Sequence, residues 1–229
     1  MSFNELKRQT SVYVSRKYVY AVWLLFAGSL VSSFYLAYVV ISSVLSSGPS
    51  ASGIIAVIYQ YYYVTVLVQV LSLAYLGLYL FTIYRLYLSL NVHAQRVAAA
   101  LRASGIQQAA SYADRISSAP ARYSLVPFIL AVLFWFVPFL EIASLILILY
   151  LMSRLHSSVV ALEQTEDEAF RALGISLSRR RTGREGYFLY GVLAVVTLGL
   201  FMVYLIYHLV SVYNGHVKED VRLLESVEL

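Results

Sequence analysis

Glu141 is the one carboxylate inside the long apolar stretches of this chain. An ionisable group at membrane depth is costly to bury and marks a candidate functional site. It lies three residues after Pro138, where the loss of a helical hydrogen bond can bare backbone carbonyls. That combination suits a proton or cation site. The alternatives are a structural partner for an arginine, or a residue at an interface made by a re-entrant turn. Arg85, near the end of an apolar run, either snorkels to the headgroups or pairs with Glu141. His208 lies about one helical turn inside the end of the last run, where a neutral imidazole can hydrogen-bond across helices. Glu141, Arg85 and His208 therefore form the candidate ion or proton site.

Other chemistry finds little support. With no cysteine, thiolate catalysis, thiolate zinc sites and disulfides are excluded. A four-span arrangement puts His93, His208 and His216 near one membrane face and His156 near the other, which does not supply paired axial haem ligands. No metal site and no cofactor are expected. Walker, H-E-x-x-H, G-x-S-x-G and dinucleotide signatures are missing. Asp114, Asp167 and Asp220 all lie outside the apolar runs, so no intramembrane aspartyl pair forms and no enzyme is expected. Gln60 and Gln69 read as polar glue between helices. Tyr75, Tyr79, Tyr84 and Tyr87 read as interfacial belt and packing. Arg179, Arg180, Arg181 and Arg184 make the densest basic patch, each worth about 1 kcal/mol at an anionic membrane surface. Lipid headgroups are the expected partner, and nucleic acid is not.

The elements that must carry these groups are dictated by composition. Hydrophobic residues make up 60 % of the 229, charged residues 13 %, and mean hydropathy is +0.73. A soluble domain carries about a quarter charged residues. Apolar runs cover 18–45, 54–90, 124–152 and 187–213, each beyond the ~20 residues that cross a bilayer core. Without period-2 alternation they must be helices, since lipid leaves no partner for free backbone groups. The expected fold is all-α: a polytopic membrane protein with four long transmembrane helices and short amphipathic flanking helices. Residues 1–17 read as a basic interfacial helix, opened by a Ser2/Glu5 capping box, with no cleavable signal. Residues 91–123 form a polar linker whose first part continues the helix and stops near Gly105. In 153–186, Leu155, Val159 and Leu162 share a face, and Thr165/Glu168 cap a further short helix with Phe170 and Leu173. The tail 214–229 sets Val217, Val221 and Leu224 opposite its acids.

Topology divides three ways. Four spans place ten Lys or Arg on one side and six on the other, against the positive-inside rule. If the third run re-enters at Pro138, the split becomes fourteen to two, with arms too short to cross alone. In a third arrangement every long run is a hairpin wedged into one leaflet. Run length favours four spans, in the cell membrane and with a cytoplasmic N-terminus. Arginine outnumbers lysine 14 to 3, a usage compatible with a thermophilic prokaryote.

The second and fourth runs end alike. Leu76-Gly77-Leu78, Tyr84-Arg85-Leu86 and Asn91-x-His93 recur as Leu198-Gly199-Leu200, Tyr207-His208-Leu209 and Asn214-x-His216, and Tyr150 to His156 reads as a degenerate third copy. Thr197, Gly199, Leu200, Phe201, Tyr204 and Tyr207 carry a T-x-G-aliphatic-aromatic step. In that step the stretch 187–216 resembles a family of small prokaryotic multi-pass membrane proteins with no established activity; the family's Tyr-Trp pair is missing here. The resemblance implies membrane residence. Small residues at Gly28, Ser29, Ser32, Ser33 and Ala37 allow close helix approach. The expected function is a non-catalytic, oligomeric or accessory subunit of a membrane assembly. A small channel or proton-coupled transporter using Glu141, or a membrane-shaping hairpin protein, are the alternatives.

Overall fold

A computed structural model describes residues 3–47, 51–120, 124–137, 140–177, 182, 187–197 and 199–226. The fold is all-α, with no strand among the described residues. Four helices are long and apolar enough to cross a membrane: α2 (Lys17–Ser47), α4 (Tyr62–Ala103), α8 (Glu141–Ala172) and α10 (Leu200–Glu225). Before and between them lie α1 (Phe3–Gln9), α3 (Ala51–Gln60), α5 (Gln107–Ala110), α6 (Ala113–Ser118), α7 (Val126–Trp135) and α9 (Tyr187–Val196).

The chain divides into two compact units, 17–79 and 1–16 with 80–229. In the smaller unit α2 runs antiparallel to the first part of α4. Ser29 and Ser72 share a 2.8 Å hydroxyl hydrogen bond, and Phe26 packs on Tyr75. Gly28 faces the Leu71 side chain. The small-residue stripe is thus used within the chain at Gly28 and Ser29. Ser32 and Ser33 are half-buried, Ser33 donating to the Ser29 carbonyl, and Ala37 is exposed.

The larger unit is a helical bundle with two hairpins. α7 packs antiparallel on α8, the chain reversing after Trp135 and starting again at Glu141. The hydroxyl of Ser144 donates to the Ala131 carbonyl at 2.7 Å and locks the reversal. The second hairpin was not expected: the stretch 187–213 is two helices, not one. Gly199 has φ +88 and donates to the Ala194 carbonyl, ending α9, while the Thr197 hydroxyl accepts from the Phe201 N–H to start α10. Tyr190 meets Phe201 at 5.4 Å between ring centroids, a contact a straight helix would not allow. The uncharged stretches 142–153 of α8 and 200–217 of α10 hold 12 and 18 residues, about 18 and 27 Å, against a core about 30 Å thick.

Beyond those stretches the helices do not stop. α4 passes through 91–103 and ends just before Gly105 (φ +74). α8 continues from 153 to Ala172, so Thr165 is mid-helix, its hydroxyl on the Ala161 carbonyl, and opens no new helix. α10 extends to Glu225. Leu86, Leu90, Ala94, Val97, Leu155, Val159, Leu162, Val217 and Leu224 close into one core with no long gap, and α5 and α6 pack on α8. The N-terminal helix stops at Gln9 rather than running to 17. Residues 11–15 carry no helix and are held by side chains: Asn214 clasps the Val14 backbone through both N–H and C=O, and the Tyr213 hydroxyl donates to the Val12 carbonyl. Ser2, half of the expected capping box, lies outside the described residues.

Gly199→Ala is expected to lose about 1 kcal/mol, because a Cβ resists the left-handed conformation. Gly77 sits inside α4 with open space where a Cβ would go, so Gly77→Ala is expected to gain about 0.5–1 kcal/mol. Opposite shifts in thermal midpoint in detergent would bear this out; shifts of the same sign would not.

Candidate metal centre

Three long helices each carry a polar residue where an apolar one would continue the buried stripe. On α4 the stripe runs Leu86, Leu90, His93, Val97; on α8, Leu155, Val159, Leu162, Glu166, Phe170; on α10, Leu209, Tyr213, His216, Asp220, Leu224. The i, i+3/i+4 spacing directs every member of a stripe to the same face. Packing the three faces together therefore forces His93, Glu166, His216 and Asp220 to converge. Their side chains are between 0 and 1 % exposed. One nitrogen or carboxylate oxygen from each lies within 4.8 Å of the others.

The orientation of His93 is informative. Its Nδ1 lies 2.8 Å from the Thr10 carbonyl oxygen. A carbonyl only accepts, so Nδ1 carries the proton and Nε2 faces inward. There Nε2 meets Asp220 Oδ2 at 2.9 Å and Glu166 Oε1 at 3.8 Å. A neutral imidazole would aim a lone pair at an anionic oxygen, which is repulsive. Either a second proton or a cation must lie between them. His216 Nε2 is 3.2 Å from both Glu166 Oε2 and Asp220 Oδ2. Charge-assisted hydrogen bonds are shorter, about 2.7–2.9 Å, and only His93–Asp220 qualifies. Ligands about 2.0–2.1 Å from a tetrahedral ion sit about 3.3 Å apart. The histidine–carboxylate contacts, 2.9 to 3.8 Å with Glu166 offering a different oxygen to each ring, lie around that value, and one ligand atom from each residue falls within 4.8 Å of the rest.

The charges also balance. Two carboxylates and two neutral imidazoles carry −2, which a divalent cation cancels. Two imidazoles with two carboxylates suit zinc, and also iron or manganese. The Thr10 carbonyl behind His93 is the outer partner that fixes the tautomer of a ligating imidazole. All four protein positions are filled and buried, as in a structural site; catalytic zinc keeps a water in its fourth position.

The expected site residues lie elsewhere. Glu141 is exposed in the first turn of α8 and Arg85 is exposed on α4, and no ion pair joins them among the described residues. His208 stacks on Tyr204 at 6.0 Å. Arg179, Arg180, Arg181 and Arg184 lie outside the described residues. Asp220 was expected on the solvent side of the tail and is fully buried. The internal echo held the missed signal: its Asn-x-His elements supply His93 and His216, whose rings meet edge-on at 5.5 Å. No protein-family model, curated protein or solved structure matches the chain. Thr197 and Gly199 of the family-like step form the break between α9 and α10.

His93→Ala would release the Thr10 carbonyl and leave Asp220 buried without its nearest partner. Breaking a buried pair costs about 3–5 kcal/mol. Arg102→Ala removes an exposed bridge to Asp114 and is expected to cost under about 1 kcal/mol. Unfolding midpoints of the two variants should differ accordingly; equal midpoints would show that the cluster contributes nothing.

Proposed function

We propose that the chain is a non-catalytic integral membrane protein that holds one divalent transition-metal ion at its bundle, the ion tying α4, α8 and α10 together. The convergence of His93, Glu166, His216 and Asp220, at separations suited to a tetrahedral ion, carries this reading. It departs from the expectation of no metal and keeps that of a non-enzyme, since closed coordination leaves no position for a substrate. Both hairpins return their chain to the bundle. The uncharged part of α8, about 18 Å, is shorter than a core about 30 Å thick, and with both hairpins turning back this favours re-entry from one surface. Arg96, Arg102, Arg115, Arg171, Lys218 and Arg222 belong to the bundle segments, and the positive-inside rule then favours a cytoplasmic bundle and N-terminus.

The exposed apolar side chains of α2, among them Leu24, Phe34 and Ile41, suit contact with lipid or with other membrane subunits. An accessory or oligomeric role fits that surface. The metal then acts as a staple, keeping a small polar bundle rigid where its core is too short to do so alone.

Elemental analysis of protein purified without added chelator tests this. About one zinc, iron or manganese per chain is expected in wild type, and a large loss in Asp220→Ala and His216→Ala. Chelation is expected to lower the thermal midpoint of wild type, because an ion bound only by the native state stabilises it, and to leave the variants unmoved. Metal-free wild type with a midpoint indifferent to zinc and to chelator would instead make the cluster a doubly protonated imidazolium–carboxylate network.

A further inference from the structure

The α8–α9 face holds a groove of about 610 Å³ that the metal centre does not use. One end is formed by Ile142 and Ile146 of α8 with Val195 and Val196 of α9, all apolar and exposed. Its other end carries Tyr150, Ser153 and Tyr187. The polar end points toward the bundle on both helices, because α9 runs antiparallel to α8: Gly191 faces Leu149 while Tyr187 meets His156. From Ile142 to Ser153 the groove follows α8 for about 16 Å. One leaflet of a core about 30 Å thick has nearly that depth.

At the polar end stands a positive charge. Arg154 is exposed and donates from Nη1 to the Tyr150 hydroxyl at 3.0 Å, which holds its guanidinium beside the mouth. Guanidinium is the side chain best matched to a phosphate. An apolar slot one leaflet deep, hydroxyls at its opening and a cation over them are complementary to an amphiphile with a negative head.

We propose that this groove is a binding site for one acyl chain of an anionic phospholipid, with the phosphate at Arg154. Gly191 keeps the slot open. A Cβ there would stand 3.0 Å from Leu149 Cδ1, so a larger side chain must fill the groove or push its wall. The groove also ties the two hairpins to the surrounding leaflet, because its two walls are the inward arm of one and the outward arm of the other. This inference stands on α8 and α9 and is independent of whether the bundle binds a metal.

The test uses the full chain in vesicles of phosphatidylcholine containing a trace of phosphatidylglycerol with a photoactivatable diazirine in its acyl chain. Labelled peptides are mapped after illumination, and the label is competed with unlabelled phosphatidylglycerol or phosphatidylcholine. Label concentrated in 142–153 and 187–196 is expected, displaced by the anionic lipid in preference. Gly191→Leu should abolish that concentration of label. Arg154→Gln, a change at an exposed position, should keep the label and cut the preference for the anionic lipid by about fivefold, the effect of one basic group at a lipid surface. The thermal midpoint of each variant, measured in parallel, shows that it is folded; should Gly191→Leu fail to fold, Arg154→Gln decides alone. Label spread evenly over α2 and the hairpins, competition blind to headgroup charge in wild type, or cross-links between two copies at α9 would each overturn the proposal.

Discussion

Four buried polar side chains, drawn from three helices to within 4.8 Å of one another, are the constraint around which the larger unit is organised. Burying a charge costs several kcal/mol after relaxation, and the attraction of its partner offsets this only with good geometry. Two carboxylates and two imidazoles with no exposure cannot be left to chance. They require α4, α8 and α10 to extend well past their apolar stretches, in register, with small residues such as Ala94 and Ala98 between them. They also explain the N-terminal segment. Thr10 is fully buried and its carbonyl holds His93 from behind, and Asn214 and Tyr213 pin the residues that follow. Thr10 and the segment that follows it thus back the cluster, where composition suggested only a basic interfacial helix.

The hairpins follow from the same arrangement. Glu166 of α8 meets His216 of α10, and α9 runs antiparallel to both, Tyr187 against His156 and Tyr190 against Phe201, so α8 and α10 run parallel. The segments feeding them, α7 and α9, must therefore come from the bundle side and reverse. Each reversal uses local chemistry: Ser144 on the Ala131 carbonyl in one, the left-handed Gly199 and the Thr197 hydroxyl in the other. Exposed ion pairs such as Arg102–Asp114 and Arg115–Glu168 decorate the bundle, and contribute little to stability at the surface.

Much of the fold was legible in the amino-acid order. Four long apolar helices, the end of α4 near Gly105 and the shared face of Leu155, Val159 and Leu162 all follow from composition and period. The reversal between Trp135 and Glu141 falls where the sequence carries Pro138, a residue type that interrupts helices. The break in the fourth run was not legible, since a lone glycine is tolerated in a membrane helix and only tertiary context made Gly199 a turn. The cluster was missed for a related reason. Charged residues read as solvent-facing by type, so the stripe through Leu162 reads as ending before Glu166, and the apolar face of the tail reads through Val221 rather than Asp220. The repeated Asn-x-His pointed to two of the ligands; that they would meet is a property of helix packing and not of either segment. Glu141, singled out because acids are rare in apolar runs, lies exposed at the start of α8, where a carboxylate also suits the positive end of a helix dipole.

X-ray absorption fine structure at the metal edge of the purified protein tests the central claim most directly. A first shell of four nitrogen and oxygen ligands at about 2.0–2.1 Å, with outer scattering from two imidazoles that falls to that of one, or vanishes with the metal, in His93→Ala, is the predicted result. An all-oxygen shell, or a metal signal unchanged by removing His93, would contradict it.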